Sequence, residues 1–483
     1  MPRLHLLCVL SLMGLAACDD APSPEPVGGQ APPVEAEPQR IEIAPGEASS
    51  SPLDFATLNG VAYFSADDGT SGRELWRTDG TPAGTHRVAD LRPGSQSSGP
   101  RWFAPFSGAL YFVADGEDGT ELWRTDGTVE GTRRVLDPVA TGLRPSYVFS
   151  NPLGLFALSE TPTDAQELWF LREGASTPVK LTNFAADGGS GFIHGMQHLG
   201  GLLYFMARQG TIFPDALWVT DGTPEGTRKL AGSGDTQWGA VGVLGQRYLF
   251  IQPQLDGGVS LRYSEGTPES TGAVAVLREP PATPMGASGM PYALLTTAGA
   301  STYFPVNEPD GTAVLWETDG TAAGTRRGLT LPGGSLPTPI DLRSWEDHLL
   351  FRHNAGGGAS WLWVSDGTAA GTRAVTWDGD VRPDLILSNA KPWEVTAQHA
   401  FFCAQTPGLG EELWMADAGG VHARPVADLA PGAAGSDPAI LLVLGNRLLF
   451  RADDGTHGSE LWSLDLGVPA TTGAAAPEGE RGH

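Results

Sequence analysis

Most of this chain is built from short apolar runs, not from helical stripes. Val61-Ala62-Tyr63-Phe64, Leu110-Tyr111-Phe112-Val113, Leu202-Leu203-Tyr204-Phe205 and Leu448-Leu449-Phe450 are typical. They are rich in aromatic and β-branched residues and are bounded by Gly, Asp, Pro and Ser. Such runs predict β-strands joined by tight turns. No useful length of the body has the 3.6-residue periodicity of an amphipathic helix.

A second run follows each of these. Glu74-Leu75-Trp76-Arg77-Thr78-Asp79-Gly80-Thr81 recurs at residues 121–128 around Trp123 and Asp126. Leu-Trp or a variant returns at Trp169, Trp218, Tyr263, Trp316, Trp363, Trp414 and Trp462, so nine anchors stand about 48 residues apart. Runs such as Val88-Ala89-Asp90-Leu91 and Val426-Ala427-Asp428-Leu429 come next, then Pro-Gly and Ser-rich turns and another apolar segment. Four strands and one aromatic anchor per period predict an all-β chain folded as a single large β-propeller of nine four-stranded blades, over residues 41–465. One such sheet cannot bury both faces alone, whereas sheets stacked around an axis cover one another. Nine exceeds the common four to eight blades. An eight-bladed ring with one unit outside it and an open array are the rival arrangements.

The ends bear on closure. Residues 41–55 have the phase of the segment that follows an anchor, and the last anchor, Trp462, has no such segment after it. Ile41-Glu42-Ile43 is therefore expected to complete the last blade as a velcro strand, which removes the exposed edges of an open array.

The most regular element follows the anchor: Thr78-Asp79-Gly80-Thr81-Pro82-Ala83-Gly84-Thr85, repeated at residues 125–132, 220–227, 318–325 and 365–372. Asp-Gly-Thr is turn chemistry, with an Asp carboxylate that accepts backbone N–H groups and a Gly that takes positive φ. A structural role is expected for Asp79, Asp126, Asp221, Asp319 and Asp366, with the anchor tryptophans packed between sheets. This repeat resembles the bacterial secreted proteins named for their ELWxxDGT repeats, over roughly residues 41–465. The resemblance implies an exported, repeat-built β protein and implies little about activity.

The N-terminal end reads as a targeting segment. Arg3 precedes a short apolar stretch, Leu6 to Leu15, and Leu15-Ala16-Ala17-Cys18 resembles the bacterial lipobox. The resemblance implies that residues 1–17 are a lipoprotein signal peptide and that the thiol of Cys18 carries diacylglycerol. Residues 18–40 are rich in Pro, Gly, Ala and acids and are expected to be a disordered tether; residues 466–483 read the same way. The expected location is the bacterial cell envelope, at the outer membrane or cell surface.

Composition removes several function classes. A net charge of −26 with 30 basic residues opposes a nucleic-acid partner. Three cysteines cannot build a disulfide framework, and Cys403, in the apolar run His399-Ala400-Phe401-Phe402-Cys403, reads as a small core residue. Asp67-Asp68-Gly69, residues 115–119 and Asp453-Asp454-Gly455 offer hard oxygen ligands. Calcium is the one cofactor to weigh, but none of these segments has EF-hand spacing; they read as acidic hairpin loops facing solvent, and no cofactor is expected. His194 and His198 are four apart but lie in a β context and lack the zincin Glu. No nucleophile elbow, P-loop or dinucleotide fingerprint occurs. The reading is a non-catalytic envelope lipoprotein that binds or scaffolds protein or glycan partners. The alternatives are a polysaccharide lyase or hydrolase with its site at the propeller mouth, and a purely structural envelope component.

Overall fold

The computed structural model describes residues 36–467 apart from 161–164, 176, 187–190, 209–214, 232–240, 254–257, 280–294, 309–311, 332–339, 354–360, 378–382, 387–392 and 418–421. The described strands form nine antiparallel sheets arranged as a nine-bladed β-propeller. The blades span residues 53–89, 101–134, 145–180, 193–231, 241–278, 296–330, 340–374, 384–425 and 439–465, and are numbered 1 to 9 in that order. The eight-bladed rival is excluded, because each of the nine anchors lies in the third strand of its own sheet. The open array is excluded, because Gln39–Ile41 pairs into the last sheet and blades 9 and 1 share one core cluster.

Within a blade the strands meander in sequence order. First strands of neighbouring blades, such as Leu53–Leu58, Arg101–Phe106 and Pro145–Asn151, lie side by side. The Asp-Gly-Thr turn joins the third strand to the fourth. All such turns therefore emerge on one face of the ring, here the turn face. The connections from one blade to the next emerge on the opposite face.

Between the sheets the core divides into clusters, each shared by two neighbouring blades. Trp76, Phe64 and Phe55 of blade 1 pack with Leu449, Leu461 and Ile440 of blade 9. Trp414 and Phe402 of blade 8 pack with Trp361 and Trp345 of blade 7. Trp76, Trp316, Trp414 and Trp462 are buried, while Trp123, Trp218 and Trp363 are half-buried against the same kind of cluster. These anchors pack in the clusters between neighbouring sheets.

Blade 8 departs from four strands. Its first strand is split into Asp384–Ile386 and Glu394–Val395, and Thr376–Trp377, arriving from blade 7, adds a parallel strand to its outer edge. Trp377 thereby reaches Trp361, whose ring stands edge-on to Trp377, Phe402 and Trp414 with centroids 5.8, 5.9 and 6.3 Å away.

The N-terminal strand closes the ring, two residues earlier than expected. Gln39–Ile41 pairs antiparallel with Ser459–Asp465: Gln39 opposite Ser463, Arg40 opposite Trp462, Ile41 opposite Leu461. Glu42 and Ile43 lie outside the strand, because the backbone N–H of Ile43 is taken by a side chain of blade 9.

Candidate functional site

The residues that the sequence singles out converge on the joints between blades. In the turn of blade 1, Thr81 N and Oγ1 donate to Asp79 Oδ1 at 2.9 and 2.7 Å. Gly80 N donates to Thr78 Oγ1 (2.9 Å) and Gly84 N to Thr81 Oγ1 (3.0 Å). Thr85 Oγ1 lies 2.6 Å from Thr78 Oγ1 and donates to Thr81 O at 2.7 Å. The Asp–Thr pair of bonds recurs at Asp126, Asp221, Asp319 and Asp366. Hydrogen bonds from the following Thr hold the Asp79, Asp126, Asp221 and Asp319 carboxyls below the ordinary aspartate value. Asp366 is also held low by its Thr368, against a larger opposing effect of burial.

The same geometry explains both glycines of the motif. The first is left-handed, with φ of +88° at Gly80 and +94° at Gly127, a region that other residues enter at a cost. The second lies directly under the Asp carboxylate, so a Cβ there would overlap Asp79 at Gly84 and Asp366 at Gly371. Blade 5 carries a variant of the turn. Glu265 replaces the Asp and turns to Arg247 (2.9 Å), and Ser270 replaces the second Gly. The Ser270 hydroxyl accepts from Thr267 N at 3.1 Å, standing in for the missing carboxylate.

Each turn also rests on the preceding blade. The first Gly faces the Tyr63 hydroxyl at Gly127, the Phe170 ring at Gly222 and the Tyr303 hydroxyl at Gly367. Arginines from the preceding blade cap the turn carbonyls: Arg77 donates to Gly127 O (3.4 Å), Arg228 to Gly266 O (2.7 Å) and Arg247 to Gly320 O (3.2 Å). These three arginines come from a third, a fourth and a second strand, so their common role is invisible in the repeat pattern.

On the opposite face, a buried Glu before the Leu-Trp anchor ties blades 1, 8 and 9 each to the next. Glu74 accepts Leu91 N (2.8 Å), Ser98 N (3.2 Å) and Ser98 Oγ (2.7 Å). Glu412 accepts Ser436 Oγ at 2.5 Å. Glu460 accepts Ile43 N and Ala44 N, both at 3.1 Å, and Ser50 Oγ at 2.6 Å. The same three serines use their carbonyls on the following blade, accepting Asp115 N, Asp453 N and Asp67 N. Burial pushes Glu74, Glu412 and Glu460 above the ordinary glutamate value, outweighing the donors aimed at them.

This latch is absent from the residues proposed from sequence, although its signal is there. Pro-Gly-x-x-x-Ser-x-Pro occurs at residues 45–52, 93–100 and 431–438, each connection serving a Glu of the blade before it.

The remaining candidates are also held by local structure. Asp68 Oδ1 accepts Thr70 N and Oγ1 and Ser71 N and Oγ between 2.8 and 2.9 Å. Asp454 accepts Thr456 N, His457 N and the His457 ring at 2.7–2.9 Å. Among the described residues no three His, Cys, Asp or Glu side chains gather as a metal site needs. His194 and His198 lie on the first strand of blade 4, not on a helix. Cys403 is fully buried, with Sγ 3.1 Å from Pro438 O. Cys18 lies outside the described residues.

No family model and no curated protein matches this chain. Solved structures do match. They include a puromycin hydrolase mutant complexed with PGG (14% identity, TM-score 0.36) and a prolyl endopeptidase (11%, 0.41), each over 74% of this chain. The matches span 58% and 54% of those two proteins. The computationally designed Ika8 protein matches over 88% of this chain and 99% of its own at 12% identity, with a TM-score of 0.39.

Proposed function

We propose that this chain is a lipid-anchored envelope protein of the ELWxxDGT-repeat kind, whose rigid ring binds or scaffolds protein or glycan partners without chemistry of its own. The observation that supports the reading is the use of the repeated polar groups. The motif Asp and Thr groups described above are hydrogen-bonded within their own turns, and Glu74, Glu412 and Glu460 bind the connections that lead to the next blade. A repeat that builds joints leaves recognition to the non-repeated surface, and a net charge of −26 turns that surface away from nucleic acid.

In this reading Cys18 is the mature N-terminus and is acylated. Residues 18–38 then link the lipid to the turn face, where Gln39 begins its strand beside the end of Ser459–Asp465. Two measurements test the proposal. Mass spectrometry of the mature N-terminus is expected to find an acylated Cys18, and an unmodified chain starting elsewhere overturns the anchor. Envelope glycan and protein fractions passed over the immobilised ring are expected to leave a bound component. Turnover of a polysaccharide by the purified ring overturns the non-catalytic reading.

A further inference from the structure

Eight of the nine blades are closed by the chain itself, since third and fourth strands are consecutive in sequence. Blade 9 is closed by residues from the other end of the protein. Its third strand, Ser459–Asp465, receives Gln39–Ile41 through three residue pairs and nothing covalent. The segment is also held by the Glu460 latch on Ile43, Ala44 and Ser50 and by the buried side chains of Ile41 and Ile43. Ser51 N donates to Ser459 O and Ser459 N to Ser49 Oγ, both at 3.0 Å. Trp76, Phe64 and Phe55 of blade 1 pack directly on Leu449, Leu461 and Ile440 of blade 9. The Glu460 latch copies the one between blades 1 and 2, where Glu74 holds Leu91 and Ser98.

The segment has a weak end and a firm end. At the weak end, Gln39 sits beside Ser463, near the point where the third strand finishes at Asp465. Pulling on the chain ahead of Gln39 therefore loads the antiparallel pairs one at a time. At the firm end the segment is fixed to blade 1: Asp67 N donates to Ser50 O at 3.1 Å and Arg73 Nη1 to Ser51 O at 2.8 Å. Peeling that starts at Gln39 meets the Glu460 latch and then stops at these bonds.

We propose that residues 39–49 form a releasable clasp, and that tension on the chain ahead of them peels this segment off blade 9 before any blade unfolds. The source of tension, a lipid on one side and a bound partner on the other, rests on the function proposed above. Release lengthens the tether by a fixed amount and bares the edge of Ser459–Asp465, a strand with unpaired backbone groups able to take another strand.

Single-molecule force spectroscopy on the unacylated chain from Cys18 to His483, with handles at both ends, tests this. The expected first event is a low-force step that refolds on relaxation and releases eleven residues, about 38 Å of contour. Glu460→Gln is expected to move that step to lower force, and Glu74→Gln to leave it in place. Tryptophan fluorescence without load checks that each variant is folded, and Ser50→Ala serves if Glu460→Gln is not. A first event that releases a whole blade or more overturns the clasp, as does a step unmoved in both Glu460→Gln and Ser50→Ala. Because the assay uses unacylated protein, its failure is separate from failure of the anchor, which is read by mass.

Discussion

The carboxylate of Asp126 fills the space that a β-carbon on Gly131 would need. Five residues apart in sequence, the two behave as one group. The Asp can fold back onto the turn only because the Gly has no side chain, and the Gly is covered only because the Asp folds back.

This pairing predicts non-additive mutants. Gly131→Ala alone must displace Asp126 and is expected to cost about 1–3 kcal/mol, the usual range for overpacking. Asp126→Ala removes two exposed turn bonds, at 3.0 and 2.7 Å, and is expected to cost about 0.5–1 kcal/mol. With Asp126 already Ala, the Gly131 change should cost little. A double-mutant cycle by chemical denaturation reads the coupling, and simple additivity would contradict the geometry. Glu265 with Ser270 is the same compensation already present in the chain.

At the latch, truncation leaves buried donors without acceptors. Glu460→Ala orphans Ile43 N, Ala44 N and Ser50 Oγ, each at about 1–3 kcal/mol when buried and unpaired. Glu74→Ala removes equivalent bonds at a junction where the chain is continuous. The melting temperature is therefore expected to fall further for Glu460→Ala than for Glu74→Ala. Equal losses would mean that the covalent link adds nothing at the other junctions.

The pH dependence has two opposing parts. The turn aspartates titrate lower in the folded chain than in the unfolded one, so their stabilisation is present above the unfolded value near 3.8 and is lost as pH falls through the folded values. Glu74, Glu412 and Glu460 titrate higher when folded, so the folded chain binds the extra protons, and stability falls as pH rises from 4.5 through their folded values. Thermal melts are expected to show highest stability in mildly acidic buffer, with a loss on the strongly acidic side. Replacing the three glutamates by Gln should flatten the change on the neutral side only.

Trp361 is the centre of the seam between blades 7 and 8. It is fully buried, and its Nε1 donates to Val375 O at 2.6 Å. Trp361→Ala is expected to cost about 3–5 kcal/mol and Trp361→Phe less. Near-ultraviolet circular dichroism should lose intensity in both, since the edge-on contacts to Trp377 and Trp414 disappear.

Local chemistry was legible along the chain. The anchors at Trp76, Trp123 and their successors, the Asp-Gly-Thr turns, the strand class and the count of nine all follow from periodicity, because a repeat states its unit many times over. The closing segment was legible in phase, but its strand is Gln39–Ile41 and stops short of Ile43, because the Glu460 carboxylate takes the N–H of Ile43. What the tertiary structure alone decided is which residues meet across blades. Arg77, Arg228 and Arg247 stand at unrelated repeat positions and cap the same carbonyl. Glu460 and Ser50 are 410 residues apart. Sequence fixes what each residue can offer over a few neighbours along the chain; ring closure, by bringing distant segments within hydrogen-bond reach, decides which offers are used.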